Sequence, residues 1–271
     1  MLFRSKKLSV TLKPKILFVG YGHLAKSLAS KSFLKNFAID SINSKSRIYS
    51  LNSKKEIKKI NYSYKYVFLL VRPNLFYQKG SEFSKYVGPK TVVVSCMAGV
   101  TVNRIQKIIN SKNIIRIMPN VMAKQNASHT YVYVKNKKLI NTTFNKILKS
   151  FGTFHIASKE DEINIATALY GSGPAFIAFL VNAFLAASKN ISPNSKLNER
   201  DVIHLFQNVI SINDSSQKLE RFVQSIASKK GTTQAGVHFL KSQNLKKIMY
   251  TTLHRAYKRA KEISIEKQGP K

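Results

Sequence analysis

An apolar run, Ile16-Leu17-Phe18-Val19, passes without polar interruption into Gly20-Tyr21-Gly22-His23-Leu24-Ala25. This is the pattern of a strand buried on both faces that turns at once into a helix. Apolar or β-branched runs recur at 47–51, 66–71, 91–96, 114–118 and 130–134, separated by stretches that can be helical. The runs 67–71 and 92–94 lack polar alternation, as expected of central strands. Strand alternating with helix predicts an α/β fold whose amino-terminal part, 15–157, is a Rossmann-type, doubly wound, mostly parallel sheet.

From about 158 the pattern loses its strands, and 158–264 reads as an all-helical domain. Gly171-Ser172-Gly173-Pro174 interrupts one helix and starts another, with the proline in its first turn. In that second helix Phe176, Ile177, Phe179, Leu180, Val181, Phe184 and Leu185 cover all sides. A helix apolar all round has to be enclosed, and the rest of this region is too short to do it, so a second copy is expected to complete the core as an obligate homodimer or a higher assembly of dimers. A last helix over 245–264 places Met249, Leu253, Ala256, Tyr257 and Ala260 on one stripe. Residues 1–14 read as a basic extension and 265–271 as a tail.

Composition narrows the classes. Cys96 is the only cysteine, which rules out an internal disulfide, and the six histidines have no metal-ligand spacing, so the reading is a cytoplasmic chain with no structural metal. The apolar run 174–187 is shorter than a membrane span requires, and no membrane partner is expected. Lysine and arginine number 46 against 12 acidic residues, a formal charge of +34. Because the lysines are spread through every segment, this reads as a solvated basic surface, with no specific nucleic acid expected, although such a field still attracts phosphorylated cofactors and small carboxylates.

The glycine elbow supplies the first chemistry. Gly20 permits the tight turn, Gly22 lets backbone approach a pyrophosphate, and Ala25 lets the helix lie on the sheet with its free N–H groups toward the anion. After the run 47–51, taken as the second strand, an NAD-binding fold offers a carboxylate to the ribose, whereas this chain has Asn52-Ser53-Lys54-Lys55. Small polar groups and cations favour a 2′-phosphate, hence NADPH, with NADH still possible; a plain lysine-rich turn is the alternative. Other strand ends, at Arg72-Pro73-Asn74, Ser95 through Gly99 and Pro119-Asn120, lie where such sheets bind ligands. Farther on, Gly231-Thr232-Thr233-Gln234-Ala235-Gly236 can start a helix whose N–H groups hold a carboxylate, with a threonine hydroxyl free for a reacting nitrogen; a simple N-cap is the alternative.

In this order the segments resemble the pyrroline-5-carboxylate reductase family. They are Phe18 through Ala25, Leu70-Val71-Arg72-Pro73, Ala98-Gly99-Val100-Thr101, Arg116-Ile117-Met118-Pro119-Asn120, Gly171-Ser172-Gly173-Pro174-Ala175-Phe176, and Gly231-Thr232-Thr233 with Ala235-Gly236. The resemblance implies hydride transfer from NADPH to the C=N carbon of 1-pyrroline-5-carboxylate, giving L-proline. It implies cofactor contacts at Gly20, Gly22, His23, Leu24, Val71, Arg72, Pro73, Ala98, Gly99 and Asn120, besides those read at Asn52, Ser53 and Lys54. It further implies substrate contacts at Ser172, Gly231, Thr232 and Thr233, with the carboxylate on the Gly231–Thr232 backbone, Thr233 at the ring nitrogen, and core helices shared between two subunits. Tyr170 stands in place of a serine, Met122 of a proline, and Lys229-Lys230 of Pro-Gly. Two other readings stand beside this one: a reductase of a related imine or keto acid, with Lys159 as an acid, and a degenerate homologue acting as a basic dimeric nucleotide- or nucleic-acid-binding protein.

Overall fold

The computed structural model describes residues 13–60, 63–191, 198–212 and 215–265, so the extension expected over 1–14 and the tail over 265–271 lie almost wholly outside the described residues. The chain forms two compact units, one comprising residues through Gly171 together with those from Tyr257 onward, the other Ser172–Ala256. The sequence divides the chain at 157/158; by packing the division falls at Gly171, and the end of the last helix joins the first unit.

The first unit is built on one eight-stranded sheet of order β3-β2-β1-β4-β5-β6-β7-β8. Its strands are β1 (Lys15–Val19), β2 (Ala38–Ile42), β3 (Ile48–Ser50), β4 (Tyr66–Leu69), β5 (Val92–Ser95), β6 (Ile114–Met118), β7 (Ser128–Val134) and β8 (Gly152–Ile156). Strands β2, β1, β4, β5 and β6 are mutually parallel. β3 is antiparallel to β2, and β7 to β6, with β8 parallel to β7. The reversal at β7 follows from its short link to β6, which lacks the dozen or more residues a crossover needs.

Two strands escape the sequence reading. β2 is broken by Asp40 and Ser41, both buried, with the Asp40 carboxylate accepting from Tyr64 Oη at 3.0 Å, so its apolar pattern is too weak to stand out. β8 is an edge strand with exposed positions along its length. One layer over the sheet packs α1 (His23–Leu28), α2 (Lys31–Asn36) and α5 (Thr142–Phe151) through Phe18, Phe33, Phe68, Phe144 and Phe151. The opposite layer packs α3 (Pro73–Lys79) and α4 (Val102–Ile109) through Leu17, Val67, Phe76 and Ile105. Each such fully buried side chain contributes about 1.5–3 kcal/mol of apolar transfer, which fixes the strand ends that carry the site. Helix α6 (Glu162–Ala166) runs into a π-turn, Thr167–Gly171, at the edge of this unit.

The second unit holds α7 (Gly173–Ile191), α8 (Glu199–Ile212), α9 (Ser216–Ile226), α10 (Thr232–Ser242) and the start of α11 (Leu245–Ile265). Among its described residues Gly173 alone is buried. Phe179 is 73% and Ile177 64% exposed, so within one chain α7 is not enclosed as its composition demands. By length and composition alone the stretch Glu162–Ile191, 30 residues, meets the measure of a membrane span, as the core helix of an assembly also does. A helix with this much exposed apolar surface needs a covering partner.

Candidate active site

The elbow sits where the sheet changes direction, since β1 has β2 on one side and β4 on the other. Ligands of doubly wound sheets bind at this switch point. Gly20 N–H donates to Ile42 O at 3.3 Å and Leu70 N–H to Val19 O at 2.9 Å, fastening the turn to both neighbouring strands. Gly20 has φ +95°, and a Cβ there would lie 2.9 Å from Leu70 O and 3.0 Å from Val71 Cγ1. Only glycine fits that conformation and that approach.

Gly22 differs in kind. It is the N-cap of α1 with no side-chain cap, and a Cβ built on it meets nothing within 4 Å. The first helical bond is Lys26 N–H to Gly22 O at 3.0 Å, so the N–H groups of His23, Leu24 and Ala25 precede the ladder and have no intrahelical acceptor. An open space above bare N–H groups is what a pyrophosphate requires. Val71 packs against Gly20, Arg72 is exposed as the N-cap of α3, and Pro73 is that helix's first residue, so the structure brings Val71, Arg72 and Pro73 to the elbow. Cys96 N–H donates to Leu69 O at 3.1 Å, which sets the segment leading to Ala98 beside them. The Cys96 thiol itself is buried, and burial pushes its pKa far up, so it has no reactive role.

Three of the expected cofactor positions have other partners in this structure. Asn52, Ser53 and Lys54 do not follow the second strand of the parallel set; they follow β3, which runs back to the amino end of β2. There Asn52 Oδ1 accepts from Ile39 N–H at 2.7 Å, and Nδ2 donates to Leu34 O and Phe37 O, so its amide braces the turn into β2. The loop that does follow β2 beside the elbow is Asn43-Ser44-Lys45-Ser46-Arg47, whose last four side chains are exposed. Gly99, at φ +70°, is covered by the last helix, because a Cβ there would meet Ala260 O and the Ile263 side chain. Its small size serves that close packing. Asn120 is buried, with Nδ2 donating to Tyr170 O at 2.9 Å and Oδ1 accepting from Met122 N–H at 3.0 Å, so it fastens the loop after β6 to the π-turn. The ring of Tyr170 stacks on Tyr131 at 5.4 Å and lies 5.0 Å from His129, which directs it onto β7.

The sequence reading assigns no role to Arg116, which is 1% exposed in the middle of β6. Its Nη1 donates to Glu160 Oε1 at 2.8 Å, and the same oxygen accepts Val102 N–H at 2.7 Å. Burial works against the guanidinium charge, and the Glu160 carboxylate restores it. A lone cation inside Ile114-Ile115-Arg116-Ile117-Met118 was the available signal, since a charge there needs a partner.

The second unit carries the turn at Gly231. Gly231 is the N-cap of α10, with no side-chain cap, and Thr232 and Thr233 are its first two residues. The simple N-cap alternative therefore does not describe either threonine. Gly231 N–H already donates to Ser228 O at 2.9 Å, and Ala235 N–H to Gly231 O at 3.1 Å is the first helical bond. This leaves the N–H groups of Thr232, Thr233 and Gln234 for an anion, in place of the expected Gly231–Thr232 pair. A Cβ on residue 231 would fall onto Ser228 Oγ, so glycine shapes the turn while its neighbours supply the donors. Lys230 lies at φ +61°, a left-handed conformation suited to glycine, and its N–H donates to Gln234 Oε1 at 2.6 Å. Ser172 precedes α7, and its carbonyl accepts from Ala175 N–H at 3.0 Å.

Residues 160–263 match the family model for pyrroline-5-carboxylate reductase dimerisation. The pyrroline-5-carboxylate reductase of Staphylococcus haemolyticus is 29% identical, over 92% of this chain and 98% of its own, and that of Staphylococcus aureus strain COL is 28% identical with the same coverage. Among solved structures, Plasmodium falciparum pyrroline carboxylate reductase with NADP bound aligns at TM-score 0.74 and 20% identity, covering 93% of this chain and 98% of that one. The Streptococcus pyogenes 1-pyrroline-5-carboxylate reductase aligns at TM-score 0.70 and 24% identity, covering 92% and 98%. The chain is thus similar to pyrroline-5-carboxylate reductases along nearly its whole length, and it shares their fold.

Proposed function

We propose that this protein is a homodimeric pyrroline-5-carboxylate reductase that uses NADPH to convert 1-pyrroline-5-carboxylate to L-proline. The observation that carries the reading is the start of α10, where three backbone N–H groups and the Thr233 hydroxyl have no acceptor or partner among the described residues, in a chain similar to these reductases over 92% of its length.

Reduction of a cyclic imine needs no nucleophile. It needs the ring held, its carboxylate neutralised and its nitrogen given a proton. The N–H groups of Thr232, Thr233 and Gln234, at the positive end of α10, hold the carboxylate. The Thr233 hydroxyl orients the ring nitrogen and relays a solvent proton to it, because a threonine pKa is far too high for a conventional acid. Gly20 and Gly22 with the start of α1 hold the pyrophosphate, and Val71 and Ala98 border the same crevice. When bound, the reduced nicotinamide supplies the hydride that reaches the imine carbon. Ser44, Lys45 and Arg47 take the ribose 2′-phosphate, in place of Asn52, Ser53 and Lys54. The exposed apolar surface of α7 and the dimerisation match support a second copy as the cover for the helical unit.

The test is a direct assay following NADPH absorbance with racemic pyrroline-5-carboxylate, with L-proline identified as the product. No proline formation by folded, NADPH-binding protein would end the proposal. The rival binding-protein reading expects stabilisation by nucleic acid and none by NADPH.

A further inference from the structure

We infer that Arg116, buried, and Glu160, half-buried, form a lock that positions the reacting end of the cofactor, an inference resting on the proposed reductase function. Glu160 Oε1 receives two donors at once: Arg116 Nη1 at 2.8 Å from the middle of β6, and Val102 N–H at 2.7 Å from the first residue of α4. The segment between β5 and α4, from Cys96 to Thr101, has Gly99 seated under Ala260 and Ile263, and its two ends have hydrogen-bonded anchors. One is the Cys96 N–H bond to Leu69 O, and the other is the Glu160 bond at Val102. This segment leaves the carboxyl end of a central strand, next to β4, which runs out into Leu70 and Val71, where ligands of such sheets lie.

The pair acts from beneath. The Arg116 side chain is 1% exposed, so it touches no ligand, and among the described residues its Nε and Nη2 find no acceptor. Glu160 is therefore the one side chain that holds the guanidinium in register with α4. Thr101 caps α4 by accepting from Arg104 N–H at 3.4 Å, a long bond that leaves Glu160 as the firmer anchor of that helix start. If the carboxylate is weakened, α4 and the segment before it gain freedom while the elbow, on another strand, keeps its own bonds. The adenosine half of the cofactor then binds as before, and the nicotinamide half loses its fixed position.

The test uses the full-length protein and two probes, 2′,5′-ADP for the adenosine half and NADPH for the whole. For Glu160→Gln the expected result is 2′,5′-ADP affinity within about twofold of the parent and kcat lowered by about tenfold or more, as small misplacements of a reacting group produce. The double variant Arg116→Met with Glu160→Gln removes the buried charges together, and its fold is expected to survive because apolar replacement of such a pair is tolerated. It should recover the melting temperature without recovering kcat. An unchanged kcat in folded Glu160→Gln, or a kcat restored in the double variant, would overturn the inference, as would equal losses for both probes. Should Glu160→Gln not fold, the double variant decides. If the parent fails to reduce pyrroline-5-carboxylate, the proposed function falls, and the ratio of NADPH to 2′,5′-ADP affinity still judges the lock: lowered supports it, unchanged refutes it.

Discussion

Replacing Gly22 with valine separates binding from stability in a way that replacing Gly20 does not. At Gly22 the backbone has φ −85° and the space around a Cβ is open to 4 Å, so the valine side chain enters without strain. The cost to folding is the poorer N-cap, about 1 kcal/mol or less. For the cofactor the change is severe, because the side chain occupies the approach to the N–H groups of His23, Leu24 and Ala25. Losing two charge-assisted hydrogen bonds at about 1.5–3 kcal/mol each removes at least 3 kcal/mol, a weakening of more than about 100-fold. A thermal-shift titration reads both effects. NADPH at about 100 times its Kd stabilises the parent by about 2.7 kcal/mol. For a chain of this size that is roughly 5–10 °C. Gly22→Val should melt within about 4 °C of the unliganded parent and gain no more than about 2 °C from the same NADPH. A variant that keeps the parent's ligand-induced shift would refute the elbow as the phosphate site. Gly20→Ala should instead melt well below the parent, because its Cβ meets Leu70 O at 2.9 Å in a left-handed backbone.

Thr233→Ala should lower kcat/KM for pyrroline-5-carboxylate by about tenfold to 100-fold, the range expected for a lost orienting donor, with NADPH affinity unchanged; unaltered steady-state kinetics would remove Thr233 from the chemistry. Lys45→Glu should raise the KM for NADPH by about tenfold and leave NADH nearly unaffected, while Lys54→Glu changes neither, and the reverse pattern would restore the original assignment. Lys230→Gly should raise the melting free energy by about 0.5–1 kcal/mol by relieving a left-handed backbone at φ +61°, measured by denaturant titration; a lower midpoint would show that the lysine side chain contributes more than its backbone costs.

Legibility in the sequence followed the strength of each local signal. β1, β4, β5 and β6 were plain because central strands are apolar without interruption, and the elbow was plain because its glycines have no other use. β2 was hidden by Asp40 and Ser41, whose burial depends on Tyr64 and on neighbouring strands that no local window contains. That one omission moved the expected 2′-phosphate contacts from the loop 43–47 to Asn52, Ser53 and Lys54, since counting strands fixes which turn faces the elbow. The resemblance implies a cofactor contact at Gly99, while the lack of a side chain there makes room for Ala260 and Ile263, more than 150 residues away in the chain. At α10 the motif located the turn, but which N–H groups remain free depended on the Ser228 carbonyl, a detail of backbone path.

The seating of Ala260 and Ile263 over Gly99 makes the nucleotide-binding unit discontinuous in the chain. During synthesis its sheet emerges early, yet the surface reserved for the last turns of α11 stays bare until that helix has been made. A nascent chain therefore displays that uncovered flank throughout the production of the helical unit, a period in which apolar surface is open to misassociation. The arrival of α11 is thus also the moment at which the first unit becomes complete.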